Sequence, residues 1–239
     1  MRVLYQLTSP MHLTLGRAEI ERRREFLAGA AAPGCRVEVV PLDDGPPAIE
    51  GPAGAALVVP ELLQRAPGWG RDGYDAVIIG CFSDPGLDAL SAIAALPVIG
   101  PGAAAMHLAA QFGSRFSILA PSGRETGRVR ARLRALGLDA LFASVRGVGC
   151  TVMDLARQDA AARDRIVAAG RRCIDEDGAD ILVLGCMSMA FLPGLAAALQ
   201  TLLGCPVVNP VVAALKTAEA AIALGLRSRT PAAALQRAV

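Results

Sequence analysis

The chain has 239 residues, 53% of them hydrophobic and 19% charged, which supplies a buried core and excludes a disordered protein. Lys and Arg number 24 against 22 Asp and Glu, and only 4% of residues are aromatic. There is neither a cationic surplus to neutralise a phosphate backbone nor a set of stacking platforms for single strands, so nucleic acid is not expected as a partner.

From the start, Arg2–Leu7 reads as a short β-strand, and MRVLYQLTSPMH has no continuous apolar stretch or cleavage site of a secretory leader, so the cytoplasm is the expected location. Arg17–Glu21 and Glu19–Arg23 stand at i,i+4 spacing, which predicts a solvated helical face. Strands follow at Arg36–Leu42, Tyr74–Gly80 and Pro97–Gly100. After Cys81, Asp84 is placed to cap a helix and Pro85 to be its first residue. His107 lies in an Ala-rich apolar helix and reads as packed or capping rather than as a general base.

The second half repeats the series: strands at Arg115–Ala120, Ser144–Gly149, Ala179–Gly185 and Pro206–Asn209, with helices at Arg128–Leu136 and Leu155–Asp175. Arg128, Arg130, Arg132 and Arg134 alternate around Val129 and Leu133 as a solvated face. The uncharged stretches Ala89–Ser114 and Ile181–Leu215 are long enough for a membrane helix, but Pro97, Pro101, Pro193, Pro206 and Pro210 interrupt them, so no membrane span is expected. Six cysteines without a CxxC pair, and only His12 and His107 beside them, make a metal site unexpected. Cys35, Cys150, Cys173 and Cys205 read as core residues.

The halves share more than a pattern. YDAVIIGCFS is echoed by ADILVLGCMS with Cys81 and Cys186 in register, 105 residues apart. RVLYQLTS matches RFSILAPS at an offset of 113, and PVIGPGAAAMHLA matches PVVNPVVAALKTA at 109. Alternating strands and helices, duplicated, predict an α/β fold of two pseudo-symmetric lobes, each a four-stranded, mostly parallel sheet flanked by helices. The expected boundaries put 1–100 with 210–239 in the first lobe and 101–209 in the second. Ligands of such sheets sit beyond the carboxyl ends of the strands, and both cysteines fall there, so they are expected to face each other across a cleft between the lobes. Gly80 and Gly185 before them are expected to permit tight turns.

A thiolate and a thiol on opposite faces of a carbon acid can remove and return a proton with inversion of the stereocentre. The carbanion needs its neighbouring carbonyl oxygen held by donors. Ser83 and Ser188, each two residues past a cysteine, and Ser9 and Ser122, at matching ends of the first strand of each half, are the candidates. The single lysine, Lys216, has no phosphate-loop context, and neither a Schiff base nor a metal is needed.

GCFSDPGLDAL (80–90), the following PVIGPGAAAMHLA and LGCMSMA (184–190) resemble the aspartate/glutamate racemase superfamily, and within it the hydantoin and allantoin racemases. The resemblance spans nearly the whole chain. It implies cofactor-independent racemisation of a small-molecule substrate by Cys81 and Cys186, in an assembly of identical chains. Hydantoin racemases usually end the first strand in Asn-Pro-Asn-Thr, whereas Tyr5-Gln6-Leu7-Thr8-Ser9 stands here, so different substrate contacts, with Gln6 and Ser9 as candidates, are expected. Ala103 and Asn209 replace acidic residues common in the family, and Met187 replaces a small one. A hydantoin- or allantoin-like cyclic ureide, or a related carbon acid, is the expected substrate. The alternatives are a maleate-type cis–trans isomerase, in which one cysteine adds to a double bond, and a small-molecule binding protein on the same scaffold.

Overall fold

A computed structural model of the chain describes residues 1–123, 126–157 and 160–227. The chain divides into two compact units, Met1–Pro101 with the segment from Ala214 on, and Gly102–Ala213. The first contains β1 (Arg2–Gln6), α1 (Met11–Thr14), α2 (Arg17–Ala30), β2 (Arg36–Val40), α3 (Gly51–Trp69), β3 (Ala76–Ile79), α4 (Leu87–Ile93) and β4 (Val98–Ile99). Next come α5 (Pro101–Phe112), β5 (Phe116–Ala120), α6 (Thr126–Ala135), a 3-10 turn at Asp139–Leu141, β6 (Phe142–Gly147), α7 (Val152–Ala156) and α8 (Ala160–Asp175). The order closes with β7 (Ile181–Leu184), α9 (Met187–Ala190), α10 (Leu195–Leu203), β8 (Val207–Val208) and α11 (Pro210–Ala223), the last leading back into the first unit.

All strand pairs are parallel, in the orders β2-β1-β3-β4 and β6-β5-β7-β8. The registers carry the sequence repeat. Gln6 pairs with Ile79 where Leu119 pairs with Leu184, and Ile78 pairs with Ile99 where Val183 pairs with Val208. The steps from 6 to 119, 79 to 184 and 99 to 208 are the 113, 105 and 109 residues found by matching sequence segments. Every residue of AVII (β3) and ILVL (β7) is buried. A strand covered on both faces takes a continuous apolar run rather than an alternating one.

Helices cover the sheets by ordinary apolar spacing. On α3 the buried residues are Val58, Leu62, Ala66 and Trp69, one stripe at helical period, and they join Leu4, Val77, Ile79, Leu90 and Leu96 in one core cluster. Each Val, Leu or Ile among them contributes about 1.5–3 kcal/mol on burial. Polar residues pin the second sheet: Arg146 Nε and Nη2 donate to Asp177 at 2.7 and 2.6 Å, and the Ser144 hydroxyl donates to the same carboxylate at 2.5 Å, fixing β6 to the chain just after α8. The Arg146 hydrogen bonds hold the Asp177 carboxyl below the usual carboxylate range. Among the described residues no helix is long and apolar enough to cross a membrane.

The structure differs from several expectations. The segment read as one helix over Leu155–Asp175 falls in two, α7, started at Val152 by a capping box of Thr151 and Asp154 and ended at Ala156, and α8; residues 158 and 159 lie outside the described residues. The α2 charge cluster is not wholly solvated: Arg23 is only 2% exposed and donates to Glu19 at 2.8 Å, while Glu21 pairs with Arg24. His107 is exposed rather than packed, its Nδ1 bonded to the Ala103 carbonyl at 2.8 Å. Cys150 and Cys173 are buried as expected of core residues, but Cys35 and Cys205 are only half-buried.

Gly80 and Gly185 do not serve as left-handed turn residues; neither has positive φ. They are small because the neighbouring strand leaves no room. A Cβ on Gly80 would lie 2.8 Å from the Gln6 carbonyl oxygen and 3.0 Å from Leu7 Cα, and one on Gly185 would lie 2.5 Å from Ile118 Cγ2 and 2.7 Å from the Leu119 carbonyl oxygen. Both amides donate to those same carbonyls, at 2.7 Å each. Gly80→Ala and Gly185→Ala are therefore each expected to destabilise by about 2–4 kcal/mol in urea unfolding. Gly127→Ala, at a helical position with open space around it, is expected to be neutral or to stabilise by up to about 1 kcal/mol.

Candidate active site

Each cysteine stands two residues past the end of the third strand of its sheet, at the carboxyl edge where parallel sheets present ligand sites. The local chains that hold them differ. After β3 the backbone makes consecutive turns: the Cys81 N–H donates to Ile79 O at 2.8 Å, Asp84 N–H to Cys81 O at 3.1 Å, and Leu87 N–H to Asp84 O at 3.2 Å. Two residues lie in the left-handed region, Asp84 with φ 48° and Gly86 with φ 71°. Asp is among the few non-glycine types that tolerate that conformation.

Helix α4 accordingly begins at Leu87 with Gly86 as its N-cap, not at Pro85 with Asp84 as the cap. The start of α4 is thus set back from Cys81 by a turn of chain. What Cys81 does have is the Ser83 hydroxyl, with Sγ and Oγ 3.2 Å apart. That places Ser83 on the sulfur, where it stabilises a thiolate by donating to it.

Cys186 is itself the N-cap of α9, with extended backbone (φ −148°, ψ 132°), and its carbonyl accepts from Ala190 N–H at 3.0 Å. The first-turn amides of a helix carry no intrahelical partner and favour a negative charge at the cap. Cys186 rather than Cys81 is thus the thiol that stands at a helix N-terminus. Helix α9 is buried along its whole length, Met187, Ser188, Met189 and Ala190 together, so Cys186 (6% exposed) is more enclosed than the half-buried Cys81.

The remaining candidates separate. Ser188 is buried in the first turn of α9, and Ser9 is buried in the loop after β1, where its carbonyl accepts from Leu42 N–H at 3.3 Å. Ser122, the matching residue after β5, is exposed. Gln6 is buried and its amide nitrogen is committed to the backbone, donating to Leu7 O and Val40 O at 3.0 Å each. That clamp holds the ends of β1 and β2 together. Asn209, read from the sequence only as a departure, ties two segments together. Its Nδ2 donates to Ala190 O at 2.8 Å and its Oδ1 accepts from Val211 N–H at 2.9 Å and Val212 N–H at 3.3 Å. The signal was present in Asn-Pro before an apolar helix, a side-chain cap followed by a first-turn proline.

Three of the other thiols, Cys35, Cys173 and Cys205, are poorly suited to proton transfer. Burial pushes Cys173 up to about 11 and also raises Cys35 and Cys205. Among the described residues no group of three or more His, Cys, Asp or Glu is arranged to hold a metal ion. Lys216 is paired with Glu219 at 2.8 Å.

The chain is similar to known proteins over most of its length. A family model described as Asp/Glu/hydantoin racemase matches residues 19–218. A hydantoin racemase of Paenarthrobacter aurescens is 34% identical over 209 residues, covering 85% of this chain and 87% of its own. The structure of an allantoin racemase from Klebsiella pneumoniae superposes with a TM-score of 0.86 at 32% identity, covering 95% of this chain and 90% of that one. An allantoin racemase from Pseudomonas fluorescens gives 0.86 at 28%, with 97% of each chain covered.

The Ser83 contact has a measurable consequence. Ser83→Ala is expected to slow iodoacetamide alkylation of Cys81 at neutral pH about threefold to tenfold by removing a donor to the thiolate. Peptide mass spectrometry should find Cys173 unmodified in the folded protein under the same conditions.

Proposed function

Because this chain belongs to the Asp/Glu/hydantoin racemase family, and is an isomerase of the racemase type by that membership, we propose that it inverts the stereocentre of a five-membered cyclic ureide such as allantoin or a 5-substituted hydantoin, with Cys81 and Cys186 as the two acid/base groups. The observation that carries the reading is the matched placement of the two cysteines, each two residues past the third strand of its sheet and each preceded by a glycine that the neighbouring strand requires.

The chemistry follows from the thiol. With a reference pKa near 8.5, a thiol is basic enough to take a proton from carbon when ionised and acidic enough to give one when not, both near neutral pH. One cysteine, as thiolate, removes the proton from the ring carbon. The electron pair moves onto the adjacent carbonyl oxygen, where Ser188 and the first-turn amides of α9 are the donors available in the second unit. The other cysteine, as thiol, returns a proton to the opposite face and becomes the thiolate for the reverse direction. Ser9 and Ser122 stand past the carboxyl ends of β1 and β5, and their part in the reading is to shape the rim against the ureide, while Gln6 acts from below by holding the ends of β1 and β2 together. No electrons are exchanged with a cofactor, and the reading includes a cytoplasmic location and an assembly of identical chains.

Optical rotation of single enantiomers of allantoin and of a panel of 5-substituted hydantoins tests the proposal. The wild-type protein is expected to bring at least one of them to zero rotation. Cys81→Ala and Cys186→Ala are each expected to lower kcat by at least about a thousandfold while retaining the native circular dichroism spectrum. Racemisation surviving in either variant at near wild-type rate contradicts the assignment of that cysteine.

A further inference from the structure

In each half a polar side chain lies between the cysteine loop and the strand end, in opposite senses. In the aligned segments PVIGPGAAAMHLA and PVVNPVVAALKTA, the residue just after β4 is Gly100 and its counterpart just after β8 is Asn209. From the strand end, the Asn209 amide reaches the cysteine loop: Nδ2 bonds the carbonyl of Ala190, the last residue of the helix capped by Cys186, while Oδ1 caps the first turn of α11. At Gly100 the strand end carries no side chain. The space its Cβ would occupy is filled from the other direction by the Asp84 carboxylate, which comes from the Cys81 loop, together with Leu87 Cδ2. Asp84 is buried and sits in the left-handed region. One half sends a polar side chain from strand end to cysteine loop, the other from cysteine loop to strand end.

Neither loop is rigid by itself. A helix of four residues, α9, falls far short of the length at which a helix is stable alone, so its position is set by what it is tied to. The Cys81 loop is a pair of turns through a conformation that a side chain rarely adopts, and such a conformation persists only where its surroundings hold it. We propose that Asp84 and Asn209 are the positioning residues of the reaction, Asp84 for Cys81 and Asn209 for Cys186, each setting the reach of one thiol and leaving the other unchanged. The inference rests on the two-thiol racemisation proposed above.

Asn209→Asp separates the two bonds of the amide. It keeps an oxygen for Val211 and Val212 N–H, so the cap on α11 survives, but it turns an oxygen instead of an N–H toward the Ala190 carbonyl, so the tie to α9 is lost. Racemisation has an equilibrium constant of one, which makes kcat/KM equal in the two directions for any variant. The side that is impaired must therefore be read from isotope effects. Each enantiomer of the hydantoin turned over fastest in the panel, deuterated at the ring carbon, is compared with its protiated form. When one cysteine is impaired, the substrate isotope effect rises for the enantiomer it deprotonates and falls for the other.

Cys81→Ser and Cys186→Ser are expected to skew the two isotope effects in opposite senses and so identify the face each residue serves. Asn209→Asp is expected to lower kcat about tenfold and to skew the effects in the sense of Cys186→Ser, and Asp84→Asn to skew them in the sense of Cys81→Ser. If Asn209→Asp does not fold, Asn209→Ser retains a capping oxygen without the reach to Ala190 and reads the same way. Isotope effects that fall or rise together in the Asp84 and Asn209 variants, while the serine variants split, would overturn the positioning roles and leave the two-thiol reading intact. Serine variants that do not split would overturn both.

Discussion

The constraint on which the site depends is the closeness of the central strands at their carboxyl ends. The amides of Gly80 and Gly185 bond the carbonyls of Gln6 and Leu119 at 2.7 Å, and the approach is so tight that a methyl group in either place collides with the strand beside it. A larger residue would push the following cysteine away from the sheet edge. Because β3 and β7 are buried on both faces, the chain cannot shift elsewhere to relieve such a collision. The position of each thiol is thus fixed first by backbone packing and only then by side chains.

Beyond that shared constraint the two cysteines have different surroundings. Cys81 is half-buried in a turn and has a hydroxyl on its sulfur; Cys186 is enclosed and heads a short buried helix. Two thiols that exchange roles in the two directions of a reaction do not need identical environments, since a racemisation at equilibrium constrains only the product of the steps. A hydroxyl donor at one and first-turn amides at the other are two ways of favouring the same charge.

Much of this is legible in the sequence. The central strands β3 and β7 are visible as short apolar runs because parallel strands covered on both faces have nothing to alternate with, and the matched offsets of 105, 109 and 113 residues reappear as strand registers. The two cysteines are legible because the duplication singles them out from four others. What stays hidden depends on contacts between distant residues. Helix α3 carries Pro60 and Pro67 in its interior, which argue against a helix locally, yet its stripe of Val58, Leu62, Ala66 and Trp69 meets a sheet that holds it in place. The turn after Cys81 reads as a helix start because Asp-Pro is a common capping pair; Gly86, which takes the cap instead, packs against Val59, 27 residues earlier in the chain. The burial of Arg23 and the bonds of Asn209 likewise exist only once elements are packed together.

The central claim, that two groups on opposite faces move the proton, is tested most directly by proton NMR of the first few per cent of conversion in D2O, starting from one pure enantiomer. The account predicts that the inverted product carries solvent deuterium at the ring carbon while the recovered starting enantiomer keeps its proton. Deuterium entering the recovered enantiomer as fast as the product would mean a single base serving both faces, and would contradict the roles assigned to Cys81 and Cys186.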